Sequence, residues 1–194
     1  MGDCLIQRIL RRLLIYWRIL VLKVQYAVFG IEAVNEALLR TTIGADRILR
    51  SFGAAVGKGA VIHSPLVIHN AEHDYSNIQF GSHVHVGRGV FLDLTNSITV
   101  GDDAVISMNC SLLTHQDVGD RPLHIMYPRM ACPLHIGQAA YLGAGAILMA
   151  RANIGEATVV GAGAVVTGPV TDHEVVVGVP ARMIKSLSDK VKVT

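Results

Sequence analysis

The sequence predicts an all-β main domain, a parallel β-helix built from six-residue repeats, preceded by a helical segment. Large aliphatic residues recur at every sixth position over much of the chain, and glycine follows most of them. The chain is 51% hydrophobic but only 5% aromatic, so its core is expected to consist of Val, Ile, Leu and Ala. A length of 194 residues favours one such domain with a small appendage.

The N-terminal region, residues 1–42, is predicted to be a basic helical segment. Over residues 5–29 its cations fall on one side of an amphipathic helix, and a second short helix is expected over 31–41. Residues 5–29 either pack on the main domain or an oligomer partner, or lie on an anionic membrane surface. The apolar stretches are too short to span a bilayer. No targeting signal is recognisable, so we expect a cytoplasmic protein, with peripheral membrane contact left open.

The repeat itself is predicted over residues 43–185, with a short tail over 186–194. Twelve positions at six-residue spacing, with one two-residue slip, are all large and apolar, and seven of them are followed by glycine. These positions are Phe80, Val86, Leu92, Val100, Ile106, Leu112, Ile136, Leu142, Leu148, Ile154, Val160 and Val166. A weaker version runs upstream through Ile43, Leu49, Val56, Ile62 and Ile68.

Six residues suffice for a short strand and a sharp corner. The aliphatic side chain is expected to point inward, and the glycine after it to adopt the positive φ that a tight corner needs. Three such units close a triangular coil, and coils stack as parallel strands ~4.8 Å apart. Each coil buries its inner face only by stacking on the next one.

The repeat breaks between Leu112 and Ile136. Continuing the period would put His124 and Met130 inside the coil, with prolines at the small positions, which is implausible. Residues 116–133 are therefore predicted to leave the β-helix as an external loop. Long loops on a rigid scaffold often carry function.

The repeats, the THQD segment at 114–117, VVGAGAVVTGPV at 159–170 and GVPARMIK at 178–185 together resemble the hexapeptide-repeat acyltransferases. Within that family the resemblance is to sugar O-acetyltransferases of the galactoside and maltose type, and it covers about 43–185. It implies a left-handed β-helix, a homotrimer with clefts between subunits, acetyl-CoA as co-substrate, and no metal.

The resemblance also implies roles for particular residues. His115, where a strand meets the loop, would be the general base, since imidazole can accept and return a proton near working pH. Asp93 replaces glycine at a corner and either binds an acceptor hydroxyl or caps its own turn. His85 matches an acceptor-binding position when residues are counted back from His115, whereas repeat register puts Gly87 there. Asp117 could orient His115 or be solvated.

The arm of coenzyme A would contact the last coils. The residues that match the family's contacts are Ala144, Ala162, Thr167, Arg182 and Lys185. Two departures stand out: Gly168 replaces a frequent lysine, and Arg151-Ala152 replaces Pro-Gly. Arg151 is a candidate for the missing cation, and Tyr141 stands where tryptophan is common.

The expected function is acetyl-CoA-dependent O-acetylation of a saccharide, which could be a cell-envelope or lipid-linked glycan if residues 5–29 bind membrane. An N-acetyltransferase acting on a nucleotide-linked amino sugar differs only in its acceptor. A zinc lyase of the γ-carbonic-anhydrase type shares the fold and would need His83, His85 and His115 to converge. A non-catalytic scaffold would not need the loop or the GVPAR segment at 178–182. The net charge of +2 gives no sign of nucleic-acid binding.

Overall fold

The computed structural model describes residues 5–188, which leaves residues 1–4 of the predicted helical segment and 189–194 of the predicted tail outside the description. The described chain begins with three α-helices, α1 (Leu5–Phe29), α2 (Glu32–Arg40) and α3 (Ala45–Ser51). Eighteen strands follow within the described residues, and one 3-10 helix (Pro122–Ile125) interrupts them. They are β1 (Ala55–Val56), β2 (Val61–Ile62), β3 (Leu66–His69), β4 (Ile78–Phe80), β5 (His85–Val86), β6 (Val90–Asp93), β7 (Ile98–Val100), β8 (Val105–Ile106), β9 (Ser111–Leu112), β10 (His115–Gln116), β11 (Met130–Ala131), β12 (Leu134–Ile136), β13 (Tyr141–Leu142), β14 (Ile147–Leu148), β15 (Val159–Val160), β16 (Val165–Val166), β17 (Glu174–Val177) and β18 (Arg182–Ser186).

Sixteen of the strands form three sheets, and β10 with β11 forms a separate two-stranded sheet. From β1 to β9, and again from β12 to β14, successive strands belong to the first, second and third sheets in turn. The first sheet has the order β1-β4-β7-β12, and the third has the order β16-β14-β9-β6-β3. The second has the order β18-β17-β15-β13-β8-β5-β2, and every pairing in the three sheets is parallel except β17 with β18. A chain that takes one strand from each sheet per turn is a β-helix of triangular section, so the predicted fold is confirmed.

The core lies inside this triangle. All twelve repeat positions are at most 3% exposed. Of the small residues four places after them, nine are buried, while Asn96, Gln116 and Val170 are half-buried. Asn96 and Gln116 lie next to the two breaks in the period, so loss of burial follows loss of the repeat.

The expected reason for the repeat glycines is wrong. None of the seven glycines that follow an aliphatic repeat position has a positive φ. A Cβ at Gly143 would instead lie 2.5 Å from the backbone nitrogen of Ala162, on the next coil. A Cβ at Gly137 would lie 2.6 Å from the nitrogen of Glu156. Six of the seven glycines are needed because the backbones of stacked coils approach each other there, whereas at Gly161 the nearest atom is Cγ1 of Val177.

The prediction that the repeat begins at Ile43 and Leu49 is also wrong. Ala45–Ser51 is helix α3, and the first strand of the β-helix begins at Ala55 rather than near residue 43. Ala45, Ile48 and Leu49 are buried, and their spacing of three and four places them on one helix face. A helical pattern therefore overrides the two isolated six-residue matches.

The helices cover one end of the β-helix. The short helix expected over 31–41 is confirmed as α2. The buried Tyr75 hydroxyl donates a hydrogen bond of 2.8 Å to Oδ1 of Asn35 on α2, and burial raises the pKa of Tyr75 above its ordinary value. Within the described range, no helix combines the length and apolar character that crossing a membrane requires.

Candidate active site

The external loop leaves the third sheet just after β9. Strands β10 and β11 form a small antiparallel hairpin in which His115 is opposite Ala131. The chain between these strands is mostly exposed. Nε of Arg129 lies 3.3 Å from Oδ2 of Asp117 across the base of this loop. Asp117 is therefore paired with Arg129 and does not orient His115 as one of the predictions had it. A different acid contacts His115.

That acid is Asp93, at the end of β6. Its Oδ2 lies 2.5 Å from Nδ1 of His115, and the backbone N–H of His115 donates to the same oxygen at 3.0 Å. The Asp93 side chain is 2% exposed, whereas 28% of the His115 side chain is exposed. The carboxylate thus lies beneath an imidazole that reaches the surface.

Other donors complete the hydrogen bonding of Asp93. Nδ2 of Asn70 donates to Oδ1 at 2.8 Å, and the hydroxyl of Thr95 donates to it at 2.9 Å. The backbone N–H and hydroxyl of Thr114 donate to Oδ2 at 2.9 and 3.0 Å. We expected Asp93 either to bind an acceptor hydroxyl or to cap its turn. Its burial and its protein donors do not support direct acceptor contact and fit a supporting position.

The hydrogen bonds determine the charge of Asp93. Burial opposes ionisation of the carboxyl, but the hydrogen bonds from His115, Asn70 and Thr95 outweigh that cost. The pKa of Asp93 is therefore held well below its ordinary value of 3.8. A carboxylate can only accept hydrogen bonds, so Nδ1 of His115 must be the donor in this pair. Nε2 is then left with its lone pair free to accept a proton, as a general base requires.

The sequence did not identify Asn70, Thr95 and Thr114 as part of this arrangement. Asn70 follows directly after β3, whose last residue, His69, is paired with Asp93. That column of neighbours is visible only when the register of the coils is known. Thr114 is adjacent to His115 and could have been noted as a donor.

A cavity of about 290 Å³ lies beside the imidazole. Its lining combines both signs of charge with amide and hydroxyl groups: Asn70, Ala71, Glu72, Thr95, His115, Asp117 and Arg129. This polar composition suits a ligand that carries several hydroxyl groups.

His85 is in a different place. It lies on β5 in the second sheet, where its ring is 5.0 Å from that of His63. Both histidines line a separate cavity of about 450 Å³, together with Arg88 and Met108. Within one chain the structure therefore does not bring His85 to the cavity beside His115.

The residues expected to contact coenzyme A lie on the last coils, and all five are exposed. Ala144 and Ala162 stack at one corner, where the N–H of Gly163 donates to the carbonyl of Ala144 at 2.9 Å. Arg182 is near that corner, because the N–H of Ala181 donates to the carbonyl of Val165. Thr167 follows the other end of β16, and Lys185 is opposite Val175 on β17. Arg151 and Tyr141 are exposed as well.

Comparison with known proteins assigns the family. A profile described as the hexapeptide repeat of succinyl-transferase matches residues 81–114 and 133–168, on either side of the loop. Nodulation protein L of Rhizobium meliloti (strain 1021) is 37% identical over 137 residues, which are 70% of this chain and 72% of that protein. The chain belongs to the hexapeptide-repeat acyltransferase family.

Other hexapeptide-repeat acyltransferases agree with this assignment. Galactoside O-acetyltransferase of Escherichia coli (strain K12) is 26% identical over 157 residues, which are 76% of this chain and 70% of the relative. A crystal structure of a hexapeptide-repeat acetyltransferase from Vibrio cholerae superposes with a TM-score of 0.71 at 21% identity. The match covers 89% of this chain and 94% of that one. The predicted family and the left-handed β-helix are thereby confirmed.

The zinc-lyase alternative needs three converging ligands. In the part of the chain that the structure describes, no group of three His, Cys, Asp or Glu side chains could hold a metal ion. His83 and His85 lie around the inward Val84, whereas His115 is on the loop hairpin. A single chain therefore does not supply the ligand set of that alternative.

Proposed function

We propose that this hexapeptide-repeat acyltransferase transfers an acetyl group from acetyl-CoA to a hydroxyl group of a saccharide. The observation that carries the proposal is the pair of His115 and Asp93, which leaves Nε2 of a half-buried imidazole as the proton acceptor beside a polar cavity. Galactoside O-acetyltransferase among its relatives supports a sugar hydroxyl as the acceptor.

The chemistry follows from that arrangement. Nε2 of His115 takes the proton of the acceptor hydroxyl as its oxygen attacks the carbonyl carbon of the thioester. The tetrahedral intermediate collapses, the C–S bond breaks, and the imidazolium returns the proton to the sulfur of the departing coenzyme A. Asp93 holds the reactive tautomer and stabilises the imidazolium. Typical general-base contributions are roughly 10² to 10⁴ in rate.

Coenzyme A is proposed to lie along the last coils, against the corner of Ala144 and Ala162. Backbone amides at the coil corners and the cation of Arg182 are the groups that would bind pantetheine and phosphate. Thr167, which follows β16, and Lys185, which is opposite Val175, are the other residues proposed to contact it. Arg151 remains a candidate cation for a phosphate.

We further propose a homotrimer in which the site is completed between subunits. The cavities beside His115 and His85 lie on different surfaces of one chain and are both open. Threefold packing would allow one subunit's His115 surface to face the His85 surface of its neighbour. His85 would contact the acceptor in this way.

The test is release of free thiol from acetyl-CoA by the purified protein across sugars, glycosides and nucleotide-linked amino sugars. We expect release that depends on a hydroxyl acceptor and that falls at least about 100-fold in His115→Ala. His124→Ala, in the exposed loop, is the matched control and should keep its activity. Release only with amino sugars would replace O-acetylation by N-acetylation. Equal activity of His115→Ala and wild type would overturn the mechanism.

A further inference from the structure

Helix α1 contacts the rest of the molecule through one narrow face. Leu22 is 3% exposed, and Ile15, Ile19 and Tyr26 are half-buried. The hydroxyl of Tyr26 donates to the carbonyl of His73 at 3.0 Å. Spacings of three and four residues put these four side chains on one side of the helix, so α1 is fixed in orientation against the domain.

The opposite side of α1 is apolar and uncovered. Leu10, Leu13, Trp17, Leu20, Val24 and Val28 are each 53–69% exposed. At 100° per residue they form a continuous row on the side away from Leu22. A row of this size on a soluble surface marks a binding site rather than ordinary exposure.

Cations border this row, and no acid accompanies them. Helix α1 contains no Asp or Glu over its 25 residues. Arg12 and Lys23 lie along one border of the apolar row, and Arg11 and Arg18 lie along the other. Nη2 of Arg18 donates to the carbonyl of Ala37 at 3.4 Å, which places this border next to α2.

We propose that α1 lies in the surface of an anionic lipid bilayer, with the row from Leu10 to Val28 inserted among the acyl chains and the bordering cations at the headgroups. The charge pattern favours lipid over a second copy of this chain. Two α1 helices packed through this row would bring cations of one sign together with no acid on either helix. Anionic headgroups would neutralise them, and each basic residue strengthens such binding.

The inference is independent of the proposed chemistry, because it uses no residue of the catalytic site. If both hold, acetyl transfer takes place on a protein held at the membrane surface. Of the two interpretations of residues 5–29 that the sequence left open, packing on the domain accounts for one face of α1. The proposal concerns the opposite, exposed face.

Trp17 provides a built-in probe, because it is the single tryptophan of the chain and is 67% exposed. The full-length protein is titrated with vesicles of phosphatidylcholine alone and of phosphatidylcholine with phosphatidylglycerol. We expect a blue shift of the Trp17 emission, and co-sedimentation, only with the anionic vesicles. Raising the salt concentration should weaken both.

Two pairs of variants with equal charge change make the test specific. Arg12→Glu with Lys23→Glu should weaken partitioning by roughly 30-fold or more, because each lost cation contributes about a fivefold effect. Lys58→Glu with Arg121→Glu, both exposed and outside α1, makes the same change in net charge and should bind as wild type. Leu13→Glu with Val24→Glu should abolish insertion while keeping the sedimentation coefficient.

Three results would overturn the proposal. The first is an emission shift that is equal with neutral and anionic vesicles. The second is an equal loss of binding in both charge-reversed pairs. The third is dissociation of the oligomer by Leu13→Glu with Val24→Glu in a protein that binds no vesicles, which would show that a second copy covers the row.

Discussion

Asp93 and His115 are 22 residues apart in the chain and are in direct contact in the fold. The contact arises because β6 and β9 are neighbours in the third sheet, so the end of one strand lies beside the exit of the next. Asp93 receives hydrogen bonds from four residues, whereas His115 keeps one nitrogen free. The acid therefore positions the base and does not itself reach the substrate.

Replacing Asp93 with Asn is expected to lower kcat by about 100-fold or more, since an amide no longer selects the Nδ1–H tautomer of His115. The KM values for acetyl-CoA and acceptor should change little, because neither is contacted by Asp93. Steady-state kinetics in both substrates checks this. A rise in KM with unchanged kcat would contradict a positioning role and favour acceptor binding.

Acid should destabilise the protein through the same residue. Because the folded pKa of Asp93 is lowered, its contribution to the free energy of unfolding is present above the ordinary value of 3.8 and is lost as the pH falls below it. Urea unfolding at about pH 5 and about pH 3 should therefore show a steeper loss of stability in wild type than in Asp93→Asn. Parallel curves would contradict the lowered pKa.

At the scale of single residues, the sequence predicts which residues belong to the site better than it predicts which of them are in contact. His115 could be selected because it stands at the break in the repeat, and Asp93 because an acid replaces a glycine. Their mutual contact could not be predicted, because it depends on how β10 turns out of the coil. The roles of Asn70 and Thr95 depend on the same local path.

At the scale of the coils, the sequence predicts which residues form the core but not why glycine follows them. The six-residue period predicts all twelve core positions, because each is large, apolar and required to face inward. The reason for the glycines could not be read from the pattern. A positive φ and a close backbone approach both select glycine, and the φ angles together with the close approach of Gly143 to Ala162 distinguish them.

Gly143→Ala is expected to destabilise the protein by about 1–3 kcal/mol, because the new Cβ would force two coils apart. Gly168→Ala is the matched control, since nothing lies within 4 Å of a Cβ there and its φ is not positive. Thermal unfolding of both variants measures the difference. Equal midpoints for the two variants would show that the coils separate at little cost.

At the scale of the whole molecule, subunit assembly would depend on outer surfaces whose residues do not follow the six-residue repeat. The inner faces of the sheets follow the repeat, whereas the outer faces, which would pack in a trimer, show no regular pattern. Subunit contacts are for this reason beyond what the pattern predicts. The group that His85 would face across a subunit interface cannot be predicted from one chain for the same reason.

Mixing two inactive variants tests the proposed shared site. If His115 of one subunit and His85 of its neighbour form one site, His115→Ala and His85→Ala should each lose activity in homotrimers. Co-refolded mixtures should then recover a part of it, since some interfaces combine two wild-type surfaces. The measurement is specific activity against mixing ratio, beside each variant refolded alone. Full activity of His85→Ala alone would remove His85 from the site.

Strand β18 has a consequence for how the protein avoids aggregation. A stack of parallel strands ends in unpaired backbone groups that could template a strand from another molecule, and growth could then continue without limit. Here the last strand runs antiparallel to β17, and all five of its residues are exposed, including Arg182 and Lys185. Because β18 runs opposite to the other strands of its sheet, another coil could not continue the parallel pairing there. Its two cations would also repel an identical edge. Strand β18, with two residues that we assign to coenzyme A, would thereby also oppose fibre-like extension of the second sheet.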